Sequence, residues 1–396
     1  MKILTALLSV LFASTSFSQT LQNDNGWRPA WGLDRIDQRE AELNDTYNYT
    51  LTGAGVSVYV FDSGINSSHE EFTGRIEPGF NVINDAYGTE DCSGHGTHTA
   101  SLIGGTTYGV AKQVKLIPVR VLNCRSGNSS SATLYTAINW VIEHHQTGVP
   151  AIINLSVGMS KSIAFNEAAQ ALIADGLIVV GAAGNQNRDA CLYSPASEPS
   201  VISVGGIDRA ALRASYSNYG SCVDIFAPGS DLVGAWFGST DVYRSSSGTS
   251  NAAPIVSGIV ALMLQDNPSL TQSQVEERLK TNATRDVLFN IGSGSQNLLV
   301  STLFDSSSPA PTTTVPVTMT TIPVTTTTAP VVVVTTTTVA PQPTTRMPIL
   351  KSTRPTIPLP ADMTCTNAGA RIYFYNVPYV CSSGRWLLGA YSPGRP

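Results

Sequence analysis

Five short, almost wholly apolar runs recur through the first half of the chain, at residues 56–61, 114–122, 151–155, 177–180 and 201–204. They lack the polar alternation of a strand with one wet face, so they predict strands buried on both sides. Between them, residues 133–145 and 163–174 carry apolar positions at helical spacing. That order predicts an α/β fold, a parallel sheet with helices on both faces. In such sheets functional groups gather where strands end and helices begin.

The pattern ends near residue 303. Residues 304–360 form a Thr/Pro/Val tract (TTTVPVTMTTIPVTTTTAP is typical) without a helical period. Its prolines keep the backbone extended and its hydroxyls offer O-glycan acceptors, so it reads as a disordered, sugar-bearing linker. The tail, residues 361–396, is too short to build a core without a disulfide staple. At the other end, Lys2, the apolar run 3–12 and the small residues Ser14, Ser16 and Ser18 read as a secretory signal over residues 1–18. Neither that run nor the island 331–334 is long enough to span a bilayer. A secreted, extracellular protein with a globular domain at 19–303 is expected, with no transmembrane span.

With 396 residues, 42% hydrophobic and 13% charged, the chain supports a sizeable core. A net charge of −5 without a basic stripe speaks against a nucleic-acid partner. Export makes Cys92, Cys124, Cys191, Cys222, Cys365 and Cys381 candidates for disulfides, though spacing alone leaves fifteen connectivities open.

Four segments carry candidate chemistry. VYVFDSGI (residues 58–65) delivers Asp62 to the end of a strand, where Ser63 and Gly64 turn the chain away. DCSGHGTHTASLIGG (residues 91–105) sets His95 between glycines at the start of a helix of small residues. His98 lies three residues further on, but with no His-Glu-x-x-His and no third ligand nearby a zinc site is not expected, and His98 reads as a core residue. SGTSNAAPIVSGIVALML (residues 247–264) places Ser250 after a glycine turn at the head of an apolar helix, with Pro254 expected in its first turn. VVGAAGNQN (residues 179–187) opens an apolar strand into a polar loop at Asn185. Taken singly, Asp62 and Asn185 read as turn formers and Ser250 as a helix cap. Taken together, they supply a hydroxyl nucleophile, its base, a carboxylate to orient the base and an amide donor for an oxyanion.

The order Asp, His, Ser within these segments resembles the subtilisin family. WGLDRID, TYGVAK, LYSPASEPSV and SNYGSCVDIFAPG resemble its proteinase K branch in particular, across nearly the whole globular region. The resemblance implies a doubly wound subtilisin-like fold and a serine endopeptidase with no catalytic cofactor. Asp62, His95 and Ser250 would form its triad, with Asn185 and the Ser250 N–H holding the oxyanion. Protein or peptide substrates would add as a β-strand between residues 155–158, which include Ser156, Val157 and Gly158, and the edge Gly127, Asn128 and Ser129. Ala182, Ala183 and Gly184 would line the primary pocket, without a charge to select basic side chains, so apolar or aromatic preference is expected. A structural calcium is implied on the carbonyls of Pro199 and Val201 and the Asp224 carboxylate. The bacterial members imply the pairs Cys92 with Cys124 and Cys191 with Cys222, leaving Cys365 with Cys381 for the tail. A monomer is expected, with a polymer or a surface as the candidate target of the C-terminal module.

This chain departs from the family pattern in three places. Asn251 follows the nucleophile where the family carries methionine. WGLDRID follows the signal so closely that no room is expected for an N-terminal propeptide. Asn128 begins an Asn-x-Ser sequon within the substrate edge, where a glycan would obstruct binding. The first two departures favour the rival reading, an inactive subtilisin-like scaffold with a binding or adhesive role.

Overall fold

The computed structural model describes residues 16–21, 30–124, 127, 129–304, 371–374, 377–382 and 385–388. Most of the expected signal, the Thr/Pro/Val tract, Asn128 and Cys365 therefore lie outside the described residues. The apolar runs become β1 (Ser57–Asp62), β2 (Lys115–Arg120), β3 (Ala151–Leu155), β4 (Ile178–Ala182) and β5 (Ile202–Ile207). A further strand, β6 (Ile225–Pro228), completes the centre of a nine-stranded sheet. From one edge the order is Thr284–Arg285, Leu298–Leu299, β6, β5, β4, β3, β1, β2 and Phe80–Asn81. Every pairing is parallel except the outermost, Thr284–Arg285 with Leu298–Leu299.

Beyond the six-residue helix Trp31–Ile36, the longer helices are α1 (His95–Gly104), α2 (Ser131–His144), α3 (Ile163–Ala174), α4 (Thr249–Asp266) and α5 (Gln272–Asn282). Strand alternation divides the core in two. Val58 and Val60 of β1 pack in one cluster with Leu102 and Ile103 of α1 and Ile255 and Val256 of α4. Tyr59 and Phe61 of the same strand pack in the other, with Leu134 and Ile138 of α2 and Phe165 and Leu172 of α3. Both faces are dry, which is why these strands read as unbroken apolar runs. The polar N-caps Ser130, Ser162 and Thr271 each accept a backbone N–H of the first turn, fixing where α2, α3 and α5 begin.

β1 lies between β2 and β3, with β4 and β5 following on the far side of β3. The chain thus reverses its winding at the β1/β3 boundary, and the carboxyl ends of these two strands open a crevice there. Asp62 is the last residue of β1, and Ser156 directly follows β3.

The disulfides Cys92–Cys124 and Cys191–Cys222 are formed. Phe17–Thr20 pairs antiparallel with Thr46–Tyr49. In the tail, Arg371–Phe374, Val377–Ser382 and Arg385–Leu388 make a three-stranded antiparallel sheet.

Phe165 is fully buried in the second cluster. Phe165→Ala in a Ser250→Ala background should lower the unfolding free energy by about 3–5 kcal/mol, read from urea denaturation.

Candidate active site

At the carboxyl end of β1 the Asp62 side chain has no exposure, so its carboxylate must find its partners within the protein. Oδ1 accepts the Ser63 N–H at 2.7 Å and Oδ2 accepts the Thr99 hydroxyl at 3.1 Å. His95 Nδ1 lies 2.7 Å from Oδ1 and 2.9 Å from Oδ2. Burial opposes a charge on the His95 imidazole. The Asp62 charge, its hydrogen bond and the more distant Asp91 charge outweigh that burial and raise the His95 pKa above its ordinary 6.5. The other ring of α1 behaves differently: burial pushes His98 down to about 4, and its Nε2 lies 3.0 Å from the Leu232 carbonyl. His98 is a neutral core residue.

His95 is positioned by the turn that starts α1. Gly94 caps the helix at φ 99°, in the left-handed region, and a Cβ there would sit 2.1 Å from the Trp236 ring. Asp91 organises the same turn. Its Oδ1 accepts from Ser93 N, Gly94 N and Ser63 Oγ, and its Oδ2 from Thr97 N and Thr97 Oγ1. Ser63 Oγ in turn accepts the Gly96 N–H at 3.0 Å. One buried carboxylate thus joins the residue after Asp62 to the turn that carries His95. Sequence reading passed over Asp91 because an aspartate before a glycine turn reads as an ordinary turn former.

Ser250 is the second residue of α4, where a backbone N–H has no partner in the preceding turn. The expectation that Pro254 falls in the first turn is corrected: it is the sixth residue of the helix. The amide that Pro254 lacks would have bonded the Ser250 carbonyl. That carbonyl instead accepts the Ser156 hydroxyl at 2.9 Å. Ser156 Oγ accepts from Asn154 Nδ2 at 2.9 Å, and Asn154 Oδ1 accepts from Ser257 Oγ at 2.9 Å. A hydrogen-bonded chain from mid-α4 through β3, buried until it reaches Ser156 at the cleft, therefore returns to the backbone of Ser250. Asn154 starts a sequon, but both ends of its amide are engaged in this chain and it carries no exposure.

Asn185 stands at the mouth of the loop after β4. Its Oδ1 accepts both Thr249 N–H and Thr249 Oγ1–H at 2.8 Å, and Thr249 Oγ1 accepts the Gly184 N–H at 3.0 Å. With the oxygen engaged, Asn185 Nδ2 is oriented as a donor. It converges with Ser250 Oγ near Gly248, where a Cβ would meet them at 3.4 and 2.8 Å.

His95, Asn185, Thr249 and Ser250 share a cleft of about 670 Å³ with Gly127, Ser129, Ser156, Val157, Gly158, Ala182 and Gly184. No hydrogen bond joins His95 to Ser250 here, and catalytic contacts of this kind commonly tighten on substrate binding. Ala183 does not line the cleft, as had been expected. It is fully buried, with its N–H on Val204 O and its carbonyl on Asn218 Nδ2. Leu122, Leu134, Met159 and Tyr193 line the cleft unforeseen, and among the described residues no Asp, Glu, Lys or Arg does. Asn251, beside Ser250, is buried, and its Nδ2 has no partner.

Among the expected calcium ligands, the one side chain, Asp224, is engaged by the protein itself. Asp224 already accepts the Ser203 N–H on Oδ2 and the Lys280 ammonium on Oδ1, both at 2.9 Å.

An imidazole held by a buried carboxylate, a hydroxyl at a helix head and an oriented amide, all on one cleft, are the groups that acyl transfer to a serine calls for. Residues 53–303 match the model of the subtilase family, and the chain belongs to that family. It is similar to an extracellular serine proteinase of Thermus sp. (strain Rt41A), with 50% identity over 274 residues that cover 69% of this chain and 66% of that protein. Alkaline serine exoprotease A of Vibrio alginolyticus is 43% identical over 276 residues, covering 70% of this chain and 51% of the relative. The chain thus spans between half and two thirds of the length of these two relatives. The crystal structure of a cold adapted subtilisin-like serine proteinase superposes with a TM-score of 0.66 at 43% identity, covering 69% of this chain and 98% of that one. No described helix is long and apolar enough to cross a membrane.

Asp91→Ala strands five donors in a buried turn. It should cost about 3 kcal/mol of stability, each orphaned donor being worth roughly 1–3 kcal/mol before water relieves some of them. Urea unfolding in the Ser250→Ala background measures it.

Proposed function

We propose that this protein is an exported serine endopeptidase that hydrolyses peptide bonds in proteins through an acyl-enzyme. The observation that carries the reading is the Asp62 carboxylate on His95 Nδ1, buried beside a cleft that also holds Ser250 and an Asn185 amide turned by Thr249. In this reading His95 takes the Ser250 proton as Ser250 Oγ attacks the scissile carbonyl, then returns it to the leaving amine. Asp62 fixes the tautomer that leaves Nε2 free to accept, and stabilises the imidazolium. The oxyanion is held by Asn185 Nδ2 and the Ser250 N–H. Water then attacks the ester, with His95 again as base. The Ser156 contact supports this role for the N–H, because it fixes the peptide group that follows Ser250 at the head of α4.

Substrate would lie extended between residues 156–158 and the edge at Gly127 and Ser129, pairing through main chain and so tolerating many sequences. Leu122, Leu134, Val157, Met159 and Ala182 favour an apolar or aromatic side chain in the cleft. The C-terminal strands serve in this reading as a module for a polymer or surface, carried by a protein that works as a monomer outside the cell.

Casein hydrolysis by the secreted chain should vanish in Ser250→Ala; equal activity in the two would remove the triad. Asn185→Ala should lower kcat by about 10²–10³ with KM little changed, as steady-state kinetics on a short aromatic peptide would show. The pH dependence follows from the raised His95 pKa. His95 acts as base only when neutral, so kcat/KM is lost as pH falls through a value above 6.5. Asp62→Asn removes the charge that raises this pKa, so the residual activity of that variant should keep its acid limb at lower pH.

A further inference from the structure

The corner where β5, β6 and α5 meet is assembled around a protein cation. Asp224 precedes β6, and its carboxylate and N–H both pair with the Ser203 backbone of β5, the N–H bond measuring 3.0 Å. The remaining carboxylate oxygen accepts Lys280 Nζ at 2.9 Å, and the same ammonium donates to Glu276 one turn earlier in α5. The side chains of Asp224 and Lys280 keep only 18% and 23% of their exposure. Gln272 lies two turns before Lys280, on the same side of the helix. Its Nε2 donates to the Ser200 carbonyl at 2.7 Å and to Val179 O, while its Oε1 accepts the Val179 N–H. The backbone between Pro199 and Val201 is therefore held by a side-chain amide, and Asp224 by an ammonium, both carried on one helix.

We propose that Lys280 is the resident cation of this corner, doing for Asp224 what a bound calcium ion does where that ion is present, so that the domain's stability does not draw on calcium there. A hard dication needs several oxygen ligands and their negative charge to itself. Here one carboxylate oxygen is bound to an ammonium, the other to a backbone amide, and the neighbouring carboxylate of Glu276 is shared with the same ammonium. Like charges a few ångströms apart repel, so calcium and Lys280 exclude one another at Asp224. This inference concerns stability and stands apart from the peptidase reading.

The test is thermal unfolding of the full chain in the Ser250→Ala background, each variant measured in excess calcium chloride and in excess EDTA. Comparing the two media variant by variant separates Asp224 from any calcium held elsewhere. The expected result is the same calcium-to-EDTA difference in Tm for the parent and for Asp224→Asn. Lys280→Met should melt about 3 °C or more below the parent in EDTA, because a partly buried carboxylate loses its counter-charge. A calcium-dependent rise in Tm that is present in the parent and abolished in Asp224→Asn would overturn the proposal. So would a Lys280→Met protein that melts with the parent in EDTA.

Discussion

The structure turns on one buried charge. Asp62 ends an interior strand of a sheet that is apolar on both faces, where an unpaired carboxylate would be untenable. Its lone pairs are met by the next backbone amide, by Thr99 one turn into α1 and by the His95 ring. Meeting them fixes the position of α1 on the sheet and the direction of the imidazole. The nearby Asp91 carboxylate repeats the device, binding Ser63 and the first turn of α1. His95 is thus held by packing requirements that exist before any substrate arrives, which is what the preorganised base of the proposed function requires.

A second dependence runs through Pro254. In most helices a proline at the sixth position is a defect. Here the lost hydrogen bond belongs to the Ser250 carbonyl, and Ser156, just after β3, takes the vacancy. Ser250, the proposed nucleophile, and the strand expected to receive substrate are tied together by the absence of an amide. Asn154 and Ser257 extend that tie into the helix and sheet interior, so Ser156 and Ser250 are anchored to the same core.

Much of this was legible in the sequence, for physical reasons that can be named. Strands dry on both faces have to be continuous apolar runs, and residues 56–61 and 151–155 read that way because β1 and β3 are interior strands of the sheet with both faces covered. β6 was missed: its four residues end in Pro228 and resemble a loop. Asp62, His95, Asn185 and Ser250 stood out because each follows a strand or heads a helix. Asp91, Thr249 and Asn154 did not, since their work is to hydrogen-bond groups distant in sequence, and that leaves no spacing signature. Ala183 misled because a small residue between two cleft residues looks like part of the wall, whereas alternation along the extended chain turns it inward. Pro254 misled by the offset between the visible glycine turn and the first helical residue. Lys280 gave no signal at all, for a lysine on an amphipathic helix ordinarily faces solvent.

The two disulfides acquire a particular meaning under the proposed function, in which the protein's own chemistry is cutting chains. Each closes a loop of about thirty residues, Cys92 to Cys124 and Cys191 to Cys222, with sequence separations of 32 and 31. The first runs from just before His95 to the threshold of the cleft loop at Gly127, and the second encloses β5. A single nick inside either loop leaves both fragments on one covalent molecule. Damage there becomes a local opening that the surrounding sheet can close again, and the pieces of the cleft have no route to diffuse apart.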